Sequence, residues 1–186
     1  MPKQKVDEQF IITQSLKLFR EKSYHTTSMA DIARACGLLK GSLYHYFDSK
    51  EDLMKRVIRQ VHNYFREEVF SVAYDNDMDA ASRMKELIKR SENVFIHRET
   101  GAVLGNVGVE TALVEPEFAE IIRQFFKDFF DAIKNIYLAK YPEEIASELA
   151  ERSVAEVEGA ISLSRIFNDK SYLKNTHKRI LHRIEK

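Results

Sequence analysis

Thr26-Thr-Ser-Met-Ala-Asp-Ile-Ala-Arg-Ala-Cys-Gly-Leu-Leu-Lys-Gly-Ser-Leu-Tyr-His-Tyr-Phe-Asp-Ser-Lys-Glu-Asp-Leu53 is the stretch that decides the fold. Its spacing gives two short helices about a glycine turn, then the capped start of a third. The first begins at Ser28, whose hydroxyl can accept from the Asp31 N–H while the Asp31 carboxylate reaches back. Met29, Ile32 and Ala33 share one face, and Cys36-Gly37 ends the helix because glycine adopts a left-handed backbone at little cost. In the second helix Leu43 and Phe47 face inward, which leaves Lys40, Gly41, Ser42, Tyr44 and His45 outward. Such a face suits duplex DNA. Lys and the Tyr hydroxyl can bond phosphates, Gly41 admits close approach, and Ser42 or His45 can reach base edges in the major groove. Asp48-Ser-Lys-Glu51 is a second capping box, and the N–H groups it frees, with Lys50, make a phosphate clamp.

Over residues 10–54 the chain resembles the tetracycline-repressor (TetR/AcrR) family of bacterial regulators. The resemblance is carried by Leu18-Phe19, Thr27, Met29, Asp31-Ile32-Ala33, Gly37, the run from Lys40 to Phe47, and Lys50 with Leu53. It implies that Lys40 to His45 enter the major groove while Thr27, Tyr44 and Lys50 hold phosphates, with Ser28 in the same DNA-binding set. Ser23 departs from the pattern, standing where a turn glycine is usual, and predicts a loop of different shape. Leu39 stands where a small capping Ser is common. An apolar side chain cannot cap, so the recognition helix starts less regularly; alternatively Leu39 meets a thymine methyl, an apolar contact that the major groove allows.

At 186 residues the chain is long enough for one substantial core with a small module attached. We divide it into a helix-turn-helix domain over 1–47 and a helical effector-binding and dimerisation domain over 48–186. Net charge is zero but unevenly spread. Residues 1–47 carry seven basic against four acidic side chains, residues 71–170 twelve against nineteen, and the last sixteen residues five against one. A positive end beside a negative body turns the former toward phosphates. The longest stretch without charge, Thr100 to Val109, is about half of the roughly 20 apolar residues a membrane span needs. The N-terminus lacks a signal-peptide apolar run and the single Cys36 offers no intrachain disulfide, so the cytoplasm is the expected location.

The remainder reads as helix, making the protein all-α with about nine helices. Phe10, Ile11, Leu16 and Phe19 give a stripe that covers the two short helices and completes a three-helix module. A fourth helix runs from Ser49 toward Val72, and Asp75-Asn-Asp-Met-Asp breaks the pattern and caps the next. Gly101 to Gly108 follows no strand and fits neither nucleotide-binding spacing, so close helix packing explains it better. After Pro116 comes a broad aromatic face that is mostly core. Part of it, Phe125, Phe126 and Phe129, is expected to line an effector cavity with His97, Asn106 and Glu110 as polar groups. Pro142 opens a long helix with apolar and small residues on more than one stripe, fit to pack on the body and on a partner. In proteins of the resembled family the last two helices pair with their copies, which puts Val157, Ala160, Ile161, Ser164, Ile180 and Ile184 at a homodimer interface. A two-fold dimer reads two half-sites about one helical turn apart.

These readings converge on a ligand-responsive regulator that binds operator DNA as a homodimer, with repression implied by the resemblance alone. No cofactor is expected. An enzyme is disfavoured: six His show no metal-ligand spacing, no His-Glu-x-x-His occurs, and Cys36 sits in a turn without activation. The second rival is a helical module of the same fold that has lost operator binding or works through a protein partner.

Overall fold

The computed structural model describes residues 6–94 and 116–186, which form helices and their connections without a strand. Helix α1 (Glu8–Lys22) starts at Asp7, whose carboxylate accepts from the Phe10 N–H at 2.8 Å. Its buried face is Ile11, Ile12, Ser15 and Phe19, which corrects the expected stripe through Phe10 and Leu16. Ser15 makes the difference. Its hydroxyl donates to the Ile11 carbonyl at 2.7 Å, so a polar residue can be buried with its hydrogen bond met. Helices α2 (Met29–Ala35), α3 (Lys40–Leu43) and α4 (Lys50–Tyr64) follow.

The sequence spacing carries α4 on to Val72, but the helix changes form at Tyr64. A π-helical turn, Phe65–Val69, and a 3-10 turn, Phe70–Tyr74, take over. In an unbroken α-helix Phe70 lies about 140° around the axis from Phe65. The altered winding brings both rings into the core, together with Val69 and Val72. Arg83 Nη1 and Asn135 Nδ2 each donate to the Ala73 carbonyl at 2.9 Å, satisfying the end of the turn. Asp79 then caps α5 (Ala80–Glu92) by accepting from the Ser82 N–H at 2.9 Å. The chain continues through α6 (Pro116–Leu138), α7 (Glu143–Ile166) and α8 (Ser171–Glu185). Among the described residues no helix is long and apolar enough to cross a membrane, and no cluster of His, Cys, Asp or Glu could hold a metal ion.

The described residues fall into two units, 6–61 with 116–122 and 62–94 with 123–186. The first is centred on Ile11, Phe19, Ile32, Leu43, Phe47, Leu53 and Val57, all buried. Tyr24 meets Phe118 edge-on at 5.4 Å, Arg56 pairs with Glu8 at 2.8 Å, and Lys55 pairs with Glu117.

The second unit is organised by rings. Phe125 stands edge-on to Phe65 at 5.2 Å, and Phe70 stacks on Phe129 at 5.3 Å. Such pairs add about 0.5–1.5 kcal/mol beyond their buried area. Two histidines bridge helices here: His62 lies 2.7 Å from Asp128, and His177 lies 2.9 Å from Glu92. Arg183 forks onto both carboxylate oxygens of Glu156 at 2.6 and 2.7 Å and donates to Ser153 at 3.2 Å, tying α8 to α7.

Candidate nucleic-acid interface

The helix-turn-helix is fixed by its caps. Ser28 and Asp31 form the expected box: the Asp31 N–H donates to the Ser28 hydroxyl at 3.2 Å, and the Ser28 N–H to the carboxylate at 3.1 Å. The Ser28 hydroxyl and backbone hold the Asp31 carboxyl below its ordinary range. At the other end of α2, Gly37 has a φ of 67°. The Leu38 N–H reaches the Ala33 carbonyl at 2.8 Å and the Gly37 N–H reaches that of Arg34 at 3.2 Å. That pair of bonds is the Schellman termination, and it sets the direction in which α3 departs.

Leu39 has an extended backbone, φ −73° and ψ 147°, and its side chain makes no capping bond. The start of α3 is correspondingly tight, with the Ser42 N–H bonded to the Leu39 carbonyl three residues back at 3.0 Å. Leu43 and Phe47 are buried as the spacing requires. Lys40, Gly41, Tyr44 and His45 are exposed and Ser42 is half-buried, so these five stand together on the outer side of the segment. Gly41 is informative. A Cβ built there meets no atom within 4 Å, so nothing among the described residues calls for a glycine.

Ser49 rather than Asp48 caps α4, which corrects the position of the second box: the Ser49 hydroxyl accepts from the Asp52 N–H at 3.1 Å. Two of the phosphate candidates are engaged elsewhere. Thr27 is buried, its hydroxyl donating to the Ser23 carbonyl at 2.7 Å. Lys50 donates to the Tyr24 carbonyl at 3.1 Å and sits 4.3 Å from the centre of its ring, and the Tyr24 hydroxyl donates to Glu51 at 3.2 Å. Ser23 itself has φ 67° and ψ 166°, a conformation natural to glycine.

The effector and dimer candidates lie elsewhere. His97, Asn106 and Glu110, and the Gly101 to Gly108 segment, are outside the described residues. Phe125 and Phe129 are buried in the ring cluster and Phe126 is half-buried. Phe129 borders a small cavity of about 10 Å³, lined also by Met84, Leu87, Val157 and His177. His177 and its partner Glu92 were not singled out by the sequence. Burial pushes the His177 imidazole below its ordinary range, against the opposing pull of Glu92.

Val157, Ala160, Ile161, Ile180 and Ile184 are all buried within this chain, and Ser164 is half-buried. The outer surface of the same two helices also carries apolar residues. Leu163, Ile166 and Phe167 are exposed, Ile166 by 73%, and Phe167 stacks on Tyr172 at 5.5 Å. Beside them runs a groove of about 250 Å³ floored by Gly159 and Ala160 and bordered by Glu156, Leu163, Tyr172 and Arg179. A Cβ at Gly159 also meets nothing within 4 Å.

Residues 11–57 match the tetR family of bacterial regulatory proteins, and residues 80–179 match the C-terminal domain of LmrA/YxaF-like transcriptional regulators. The HTH-type transcriptional regulator YxaF of Bacillus subtilis is 27% identical over 168 residues, 88% of this chain and 87% of YxaF. A second regulator of that organism, YuxN, is 31% identical over 147 residues, 78% of this chain but half the length of YuxN. A TetR transcriptional regulator from Legionella pneumophila has the same fold, with a TM-score of 0.85, 19% identity and coverage of 96% of this chain and 97% of that one.

Proposed function

This chain belongs to the tetR family of bacterial regulatory proteins, and from that premise we propose that it is a homodimeric repressor, specific for an operator sequence and released from it by a small molecule. Membership makes it a DNA-binding transcriptional regulator and not an enzyme. The observation that carries this proposal is the outer side of α3 and of the turn that follows it. Lys40, Gly41, Tyr44 and His45 stand exposed around a Leu43–Phe47 pair that is buried, with open space where the Gly41 Cβ would be. A helical glycine usually costs about 1 kcal/mol relative to alanine. With no steric need for it among the described residues, close approach of the DNA backbone accounts for it.

In this reading Lys40 and Tyr44 bond phosphates, and Ser42 and His45 face base edges. Thr27 and Lys50 act indirectly, by fixing the Ser23 turn and Tyr24. The second copy docks on Leu163, Ile166, Phe167 and the Gly159 groove, so that two heads read a palindrome in the cytoplasm. An apolar effector binds the ring-lined body and shifts the C-terminal part of α4, changing the separation of the heads. Such coupling is typically about 1–3 kcal/mol and reciprocal, so operator DNA weakens effector binding equally.

Selection of bound duplexes from a random pool at defined salt tests the proposal. A palindromic consensus supports it, with affinity falling steeply as salt rises and a shallower salt slope for Lys40→Ala with Tyr44→Ala. Recovery of no consensus overturns it in favour of a helical module that has lost operator binding.

A further inference from the structure

Leu39 is 80% exposed, the most exposed large hydrophobic side chain among the described residues. Its spacing does not explain this. Leu39, Leu43 and Phe47 are four residues apart, and a helix continued backward from Leu43 would place Leu39 on the same buried stripe. The extended backbone at Leu39 takes it off that stripe and turns it away from the core in which Leu43 and Phe47 are enclosed. Within the described part of the first unit, Leu39 and Tyr44 are the only large hydrophobic side chains left exposed, and both flank the Lys40–Leu43 helix. The position also does not serve the fold locally, because a leucine leaves the start of α3 without the side-chain cap that a Ser or Asp supplies.

A leucine that gives up a cap and remains in water is available to an apolar partner from outside the chain. Duplex DNA presents one apolar group in the major groove, the C5-methyl of thymine. We propose that Leu39 is a specificity-determining residue that reads a thymine methyl in each operator half-site. Lys40 and Tyr44 beside it set the height above the groove through phosphates, and Gly41 removes the side chain that would hold the segment off. Leu39 then covers the methyl, and both groups leave water together. Cytosine at that position offers a C5 hydrogen and the N4 amino group instead, which a leucine can neither contact closely nor hydrogen-bond. The inference rests on the proposed DNA reading and adds to it one base-reading contact.

Uracil differs from thymine by the methyl alone, so the test is a set of duplexes of the selected consensus in which each thymine in turn is replaced by deoxyuridine, titrated with wild type, Leu39→Ala and Leu39→Ser. Wild type is expected to lose about fourfold in affinity, the value of one buried methyl, when the contacted thymine is replaced in one half-site, and about sixteenfold when it is replaced in both. Both variants should bind the thymine and uracil duplexes equally, with an unchanged salt slope because no phosphate contact is lost. Equal wild-type affinity across the whole uracil series overturns the proposal. So does a loss at the sensitive thymine that is undiminished in Leu39→Ala. Failure of wild type to select any duplex is a distinct outcome that removes the DNA reading and this contact together.

Discussion

The Thr27 hydroxyl donates to the Ser23 carbonyl at 2.7 Å, closing the turn between α1 and α2 with Ser23 at φ 67° and ψ 166°. A serine in that conformation carries about 1–3 kcal/mol of strain that glycine does not. Part of the gain from glycine is offset by the greater freedom of the unfolded chain. Ser23→Gly is therefore expected to raise unfolding free energy by about 1 kcal/mol. Thr27→Val should lower it by about 1 kcal/mol through the lost hydrogen bond, and leave the salt slope of DNA binding unchanged. Urea titration with a parallel binding titration checks both; a shallower slope for Thr27→Val would restore Thr27 as a phosphate contact.

Gly41 is a position where folding and the proposed DNA contact can be tested apart. Because its Cβ direction is open, Gly41→Ala is expected to leave thermal stability unchanged or raise it by up to about 1 kcal/mol. Affinity for the selected operator should fall by about 1–3 kcal/mol, the usual cost of an extra methyl in a tight contact. A drop in stability equal to the drop in affinity would show that the glycine serves the fold.

Phe167 is 61% exposed and stacked on Tyr172 at the outer surface of α7 and α8. Phe167→Asp places a charge where the second copy is expected to dock. Sedimentation should shift from dimer to monomer with the helical circular dichroism signal retained, and a palindrome should then be bound no better than a half-site. A dimer of unchanged stability would move the interface elsewhere.

Burial pushes the Glu158 carboxyl on α7 up to about 7. Its folded-state value lies above the unfolded one, so its contribution to stability is fully present below about pH 4.5 and is lost as pH rises through 7. Glu158→Gln removes a half-buried group that is ionised at high pH. The variant is expected to exceed wild type by on the order of 2–3 kcal/mol at pH 8 and to match it near pH 4.5, as measured by urea unfolding at the two pH values. Equal stability at pH 8 would mean that the carboxylate is compensated in solution.

The parts legible in sequence are those set by local chemistry. Ser28 with Asp31 predicts a capping box and Gly37 a left-handed turn, and both form, because caps and turns depend on residues three or four apart. The inward pair Leu43 and Phe47 was equally legible from spacing. Ser15 was not, since its burial depends on a bond to its own helix, and neither was the change of winding at Phe65, which is bound up with rings from α6.

By itself the sequence determined an all-α chain, a capped helix-turn-helix and a cationic, aromatic outer face. Tertiary packing decided which side chains were left to use that face. It buried Thr27, drew Lys50 onto Tyr24, and enclosed Val157, Ile161, Ile180 and Ile184 within the chain's own core while leaving Ile166 and Phe167 outside. Helical periodicity reports that a residue is apolar and on which stripe it lies. Whether that stripe meets its own chain or another molecule depends on which neighbouring helix arrives first, and that is settled only when the whole chain has packed.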